Sequence, residues 1–176
     1  MVSSSVWWKR SLYALLALTV VFANLLPLST VPASWAGPDL LIALTFAWAL
    51  RRPEFVPVLL IAIIMLLADL LQQRPPGLMA FLVVLGAEQL KTRAIGLRDA
   101  SFAGEWAAAG LVVIGVFLLN RVTLAVLMVD QAPLGLTLIQ MIATILIYPV
   151  VVLISHLIFG VRKLAPGDDD AIGSRI

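Results

Sequence analysis

With 176 residues, 62% of them hydrophobic and only 12% charged, and a mean hydropathy of +1.07, the chain is too apolar for a soluble globular domain and reads as an integral membrane protein. It has no cysteine, which excludes disulfides and thiolate chemistry. The net charge of +2 does not point to nucleic acid, because the basic residues gather at the ends of apolar runs, where membrane orientation accounts for them.

In chain order, Trp7, Trp8, Lys9 and Arg10 form an aromatic and cationic collar suited to a cytoplasmic interface. The apolar run Ser11 to Leu28 then has a spanning length. A cleavable signal peptide ending near Ser34-Trp35-Ala36 is the competing reading; the length of the run and the tidier charge pattern obtained by retaining it favour a first membrane helix. Residues 28–38, uncharged and rich in proline, read as an outer loop anchored by Trp35. Pro38-Asp39 opens the second helix, with the carboxylate at the positive end of the helix dipole. Its apolar core, Leu40 to Leu50, is short for a span, so this helix either begins nearer Ser34 or is enclosed by its neighbours. Arg51, Arg52 and Pro53 end it on the inside.

Phe55 to Gln73 is the expected third helix, with Pro57 in its first turn, and residues 72–77 are a tight outer turn. The fourth helix runs from Leu78 to about Ala94 and carries Glu88 and Gln89. Residues 92–104 form a basic inner connection. Glu105 to Val129 reads as a tilted fifth helix, followed by an outer turn at 130–133. The sixth, Leu134 to Gly160, carries Pro149 at mid-length, where a kink is expected, and His156 late. These helices make one domain, residues 1–165, and 166–176 are a flexible acidic cytoplasmic tail. The expected architecture is all-α: a compact bundle of six transmembrane helices with both termini inside. Lys9, Arg10, Arg51, Arg52, Lys91, Arg93, Arg98, Arg162, Lys163 and Arg175 all fall inside in this layout, against Arg74 alone in an outer loop, and that asymmetry sets the orientation.

Polar residues inside apolar helices are the functional candidates, since an ionised Asp at bilayer depth costs roughly 2.5–3.5 kcal/mol on insertion scales. At about 1.5 Å per residue, Asp69 lies roughly 7 Å and Arg121 roughly 6 Å to the outer side of the midplane, which predicts an ion pair between the third and fifth helices. Asn24, Asn120, Gln140 and Asp39 fall in the same outer half, together forming either a glue between helices, a partner-docking surface or a pocket. Glu88 lies near the midplane on the inner side and His156 deeper toward the cytoplasm, so depth supports their pairing less than it supports Asp69 with Arg121. A single histidine without cysteine gives no metal site, Ser155 and His156 diverge by about 100° on a helix and cannot form a dyad, and there is no glycine-rich phosphate loop. No catalytic or cofactor-binding motif is found.

At Gly37-Pro38-Asp39-Leu40-Leu41, at Ala68-Asp69-Leu70-Leu71 with the following Pro76-Gly77, and at Tyr148-Pro149, the chain resembles the rod-shape-determining membrane protein family MreD. The resemblance implies a non-catalytic inner-membrane component of the bacterial cell-elongation machinery. Such a protein binds an MreC-like periplasmic scaffold and, with it, the actin-like MreB and the glycosyltransferase/transpeptidase pair of peptidoglycan synthesis. An alternative is the substrate-binding membrane subunit of an energy-coupling-factor transporter, also a compact six-helix protein with an outward pocket. That family's Ala-x-x-x-Ala docking motif is replaced here by Ala14-x-x-Ala17, which counts against it.

Overall fold

The computed structural model describes residues 4–26, 36–94, 96–97 and 101–161. Residues 28–35 of the loop expected at 28–38, Arg98, Arg162, Lys163, Arg175 and the expected acidic tail at 166–176 lie outside them. Six α-helices and one short 3-10 turn are present, and no strand, among the described residues: α1 (Ser4–Leu25), α2 (Leu40–Arg51), the turn Pro53–Phe55, α3 (Val58–Leu71), α4 (Leu78–Ala94), α5 (Phe102–Val126) and α6 (Leu134–Leu157). Three of them, α1, α5 and α6, are long and apolar enough to cross a membrane. The outward surface is correspondingly apolar: Leu59, Ile63, Phe81, Leu111, Leu118, Leu146 and Leu153 are all exposed, an arrangement that water disfavours and a bilayer accepts.

Several helix limits differ from the sequence expectation. Helix α1 starts at Ser4, so the Trp7 to Arg10 collar is its first turns rather than a flanking segment; no proline or glycine interrupts residues 4–25, and polarity alone does not break a helix. Helix α3 starts three residues late, because Pro57 pushes Val56 out of the helical region (φ −124°, ψ 68°) and leaves Pro53–Phe55 as a separate 3-10 turn. Helix α5 starts at Phe102, three residues early, and ends at Val126.

Helix α2 begins at Leu40 and is enclosed. Every residue from Leu41 to Leu50 is buried, and α1, α4, α5 and α6 all pack on it, with α3 outside, between α1 and α4. Gly86 of α4 permits the closest approach: a Cβ there would come within 2.8 Å of both Phe46 on α2 and Val112 on α5. Polar cross-links run the length of α2. The Asp39 N–H donates to Thr144 Oγ1 at 2.8 Å, Tyr13 and Thr45 share a 2.9 Å hydroxyl bond, Trp48 Nε1 donates to Ser155 Oγ at 3.0 Å, and Arg51 Nε meets Glu105 Oε1 at 2.7 Å. Each buried polar group thereby finds a partner on another helix, which fixes the rotation of α2 about its axis.

Helix α6 runs unbroken through Pro149. Proline lacks the N–H that the carbonyl four residues earlier would accept. That carbonyl, on Ile145, instead accepts from Trp106 Nε1 of α5 at 2.9 Å, so the break in the ladder becomes a tie between α5 and α6.

Candidate functional site

Helix α2, 12 residues and about 18 Å long, is surrounded by α1, α5 and α6 of 22–25 residues, or about 33–38 Å. The mismatch leaves a recess above the N-terminus of α2, between the ends of α1, α3 and α5 and the starts of α4 and α6. Two adjoining cavities fill it. One, of about 540 Å³, is bounded by Asn24, Asp39, Gln72, Arg74 and Gln140. The other, of about 360 Å³, is bounded by Arg74, Phe117, Asn120, Arg121, Asp130 and Gln140. Arg74 and Gln140 stand on the wall that both share.

Asp39 forms the floor. It is the N-cap of α2, its Oδ1 accepting from the Ile42 N–H at 3.1 Å, and it is 7% exposed. The Arg74 guanidinium lies 3.7 Å from Asp39 Oδ2, an ion pair beyond hydrogen-bond range. Arg121 lies between α5 and the start of α6, donating from Nη1 to the Ala132 carbonyl and to Thr137 Oγ1, both at 3.1 Å. Thus Asn24, Asp39, Asn120, Arg121 and Gln140, five of the six polar residues singled out in the sequence, line one recess.

Asp69 is not among them, and the expected Asp69–Arg121 ion pair does not form. Asp69 Oδ2 accepts from the Gly77 and Ala80 N–H groups, each at 3.1 Å, so the carboxylate caps the start of α4 and ties α3 to α4 rather than to α5. Its Oδ1 is buried with no hydrogen-bond partner among the described residues. The turn serving this cap needs Gly77, whose φ of +87° is costly for any residue with a side chain. Equal depth proved an insufficient criterion because backbone donors of the next helix lay closer in sequence and geometry than the guanidinium. The pairing of Glu88 with His156 is also absent: Glu88 takes Lys91 Nζ at 2.7 Å.

The opposite end holds an unforeseen network. Glu105 is fully buried and accepts both Arg51 Nε (2.7 Å) and Nη2 (3.1 Å) as well as the Tyr148 hydroxyl at 3.3 Å, joining α2, α5 and α6. Arg51 closing one helix and Glu105 opening another on the same side were the readable signal, by the same depth rule that misdirected Asp69. Nearby, Lys9 Nζ donates to the Phe159 carbonyl, Arg10 Nε to the Glu54 carbonyl at 3.0 Å and Lys91 Nζ to the Val56 carbonyl at 2.6 Å. With Lys9, Arg10, Arg51, Arg52 and Lys91 engaged by backbone carbonyls and by Glu54, Glu88 and the buried Glu105, this end is a structural clamp. Among the described residues no three His, Asp or Glu side chains come together as metal ligands.

Fold and site together define a bundle that is all-helical among the described residues, with three helices long and apolar enough to cross a membrane and a polar recess at one end. Compared with known proteins, the chain matches no family model, no curated protein and no solved structure.

Proposed function

We propose that the chain is a non-catalytic, six-span inner-membrane component of the bacterial cell-elongation machinery, with both termini in the cytoplasm. It binds an MreC-like scaffold and, through it, MreB and the peptidoglycan-synthesising pair. One observation supports the reading. The three short motifs that carry the MreD resemblance all fall at cross-helix contacts of the bundle: Asp39 caps α2 and donates to Thr144 of α6, Asp69 with Gly77 starts α4, and Tyr148 bonds Glu105 of α5. Residues that hold a fold together in this way are what a family sharing that fold would have in common. The shorter helices reach across the bilayer with their flanking turns, α2 enclosed by its neighbours and α3 on the outside between α1 and α4.

A second reading, the solute-binding subunit of an energy-coupling-factor transporter, is favoured by the paired cavities around Arg74 and Gln140. A mild-detergent pull-down of the tagged full chain, with mass spectrometry of the co-purifying proteins, separates the two. MreC-like and cell-wall synthase proteins are the expected companions; recovery of paired ATPases with a coupling membrane subunit instead would discard the scaffold in favour of transport.

A further inference from the structure

We infer that the recess at the Asp39 end is a binding site for an oxyanion group, a carboxylate or phosphate carried by a polar molecule, with Arg121 as its principal ligand and Arg74 as the second. The inference holds under either function proposed above, since a scaffold can bind such a ligand as well as a transporter subunit can.

Arg121 is the starting point. A guanidinium offers five N–H donors in a planar fork. The protein occupies only Nη1, on two neutral oxygens, Ala132 O and Thr137 Oγ1; Nε and Nη2 have no partner, and the guanidinium has no carboxylate partner, among the described residues. A cation on an apolar helix without a counter-ion is expensive, and the cost is relieved when an anion binds. The two held contacts fix the guanidinium at the wall of the 360 Å³ cavity. A fixed, half-spent fork is suited to bidentate recognition of a carboxylate or phosphate.

The surroundings agree with this. Asn120 and Gln140 line the same cavity, and their side-chain amides make no hydrogen bond among the described residues, so each has donors and an acceptor left for a ligand. The Arg74 guanidinium makes no side-chain hydrogen bond among the described residues; it faces Asp39 at 3.7 Å, feels the charge of Asp69 as well, and is 35% exposed, leaving it able to turn toward an anion. Asp39 does not compete for Arg121, being engaged with the Ile42 N–H, and Asp130 is exposed to solvent. The buried wall is Phe117 and Met79, which would exclude water from one side of the bound group.

The test uses the purified full chain in phosphatidylcholine nanodiscs, with thermal unfolding followed by its five tryptophans. Inorganic phosphate and acetate are titrated against chloride at matched ionic strength. At ten times its dissociation constant a specific anion should raise the midpoint by about 3–6 °C. The rise should disappear in Arg121→Gln. Because Arg121 also ties α5 to α6, Gln140→Leu provides the second variant: its amide bonds nothing in the free protein, so its own midpoint should stay near that of the wild type while the anion response falls. Phosphatidylglycerol nanodiscs identify the source. Loss of the phosphate response there means that a lipid headgroup already fills the site, and its persistence means a soluble anion; either outcome supports the inference. No response to either anion, or an equal response in wild type, Arg121→Gln and Gln140→Leu, would overturn it.

Discussion

A carboxylate in an apolar helix takes the donors it can reach first. For Asp69 these are the N–H groups of Gly77 and Ala80, eight and eleven residues on, presented by the helix start that follows the turn. Asp69→Ala should therefore cost about 1–3 kcal/mol, for leaving a buried donor, Ala80 N–H, and a half-buried one, Gly77 N–H, unpaired, while Asp69→Asn, which keeps an acceptor oxygen, should cost less. In detergent unfolding, the double change Asp69→Ala with Arg121→Ala should be additive to within about 0.5 kcal/mol. A coupling energy well above that would reinstate the ion pair. That Asp69 needed a partner was legible from its type and position; which partner was not, because one-dimensional depth does not record the direction in which a side chain points. Asp39 was easier to read, since a Pro-Asp helix start describes a local geometry that neighbouring helices do not alter.

At the scale of the helix, the proline in α6 and the tryptophan in α5 act as one feature. Removal of the indole in Trp106→Phe leaves the Ile145 carbonyl without its donor and should cost about 1–3 kcal/mol. In a Pro149→Ala background the restored backbone N–H can take up that carbonyl, so the same Trp106→Phe change should be milder by about 1 kcal/mol or more. Equal losses in both backgrounds would mean that the indole serves packing alone. Both limits of α2 and α4 and the start of α6 were legible because prolines and turn residues mark them, whereas both ends of α1, α3 and α5 and the end of α6 were displaced by two to seven residues. The start of α3 was misplaced because Pro57 constrains the residue before it as well as itself. The start of α1 was misplaced because a change from polar to apolar side chains does not by itself end a helix. Nothing in Pro149 itself told which donor would answer its missing bond.

For the molecule as a whole, the arrangement separates a basic, clamped end from a recessed end where Arg121 has unspent donors. A chain without cysteine permits a direct test of six spans and their orientation. Single substitutions Met128→Cys, at the turn after α5, and Thr92→Cys, near the end of α4, are both exposed positions. With a membrane-impermeant maleimide, the first should label in intact cells and the second only after permeabilisation. The reverse pattern would invert the orientation, and equal labelling of both in intact cells would contradict an odd number of crossings between them. The apolar, membrane-compatible character of the helices and their number among the described residues could be read from the chain alone, because hydropathy and helix breakers act through local composition. The enclosure of α2, the recess above it, the Arg51–Glu105–Tyr148 clamp and the true partner of Asp69 were decided only in three dimensions. They depend on relative helix lengths once packed and on the rotation of each helix about its axis, and a pattern of residues along one chain leaves both open until the neighbouring surfaces meet.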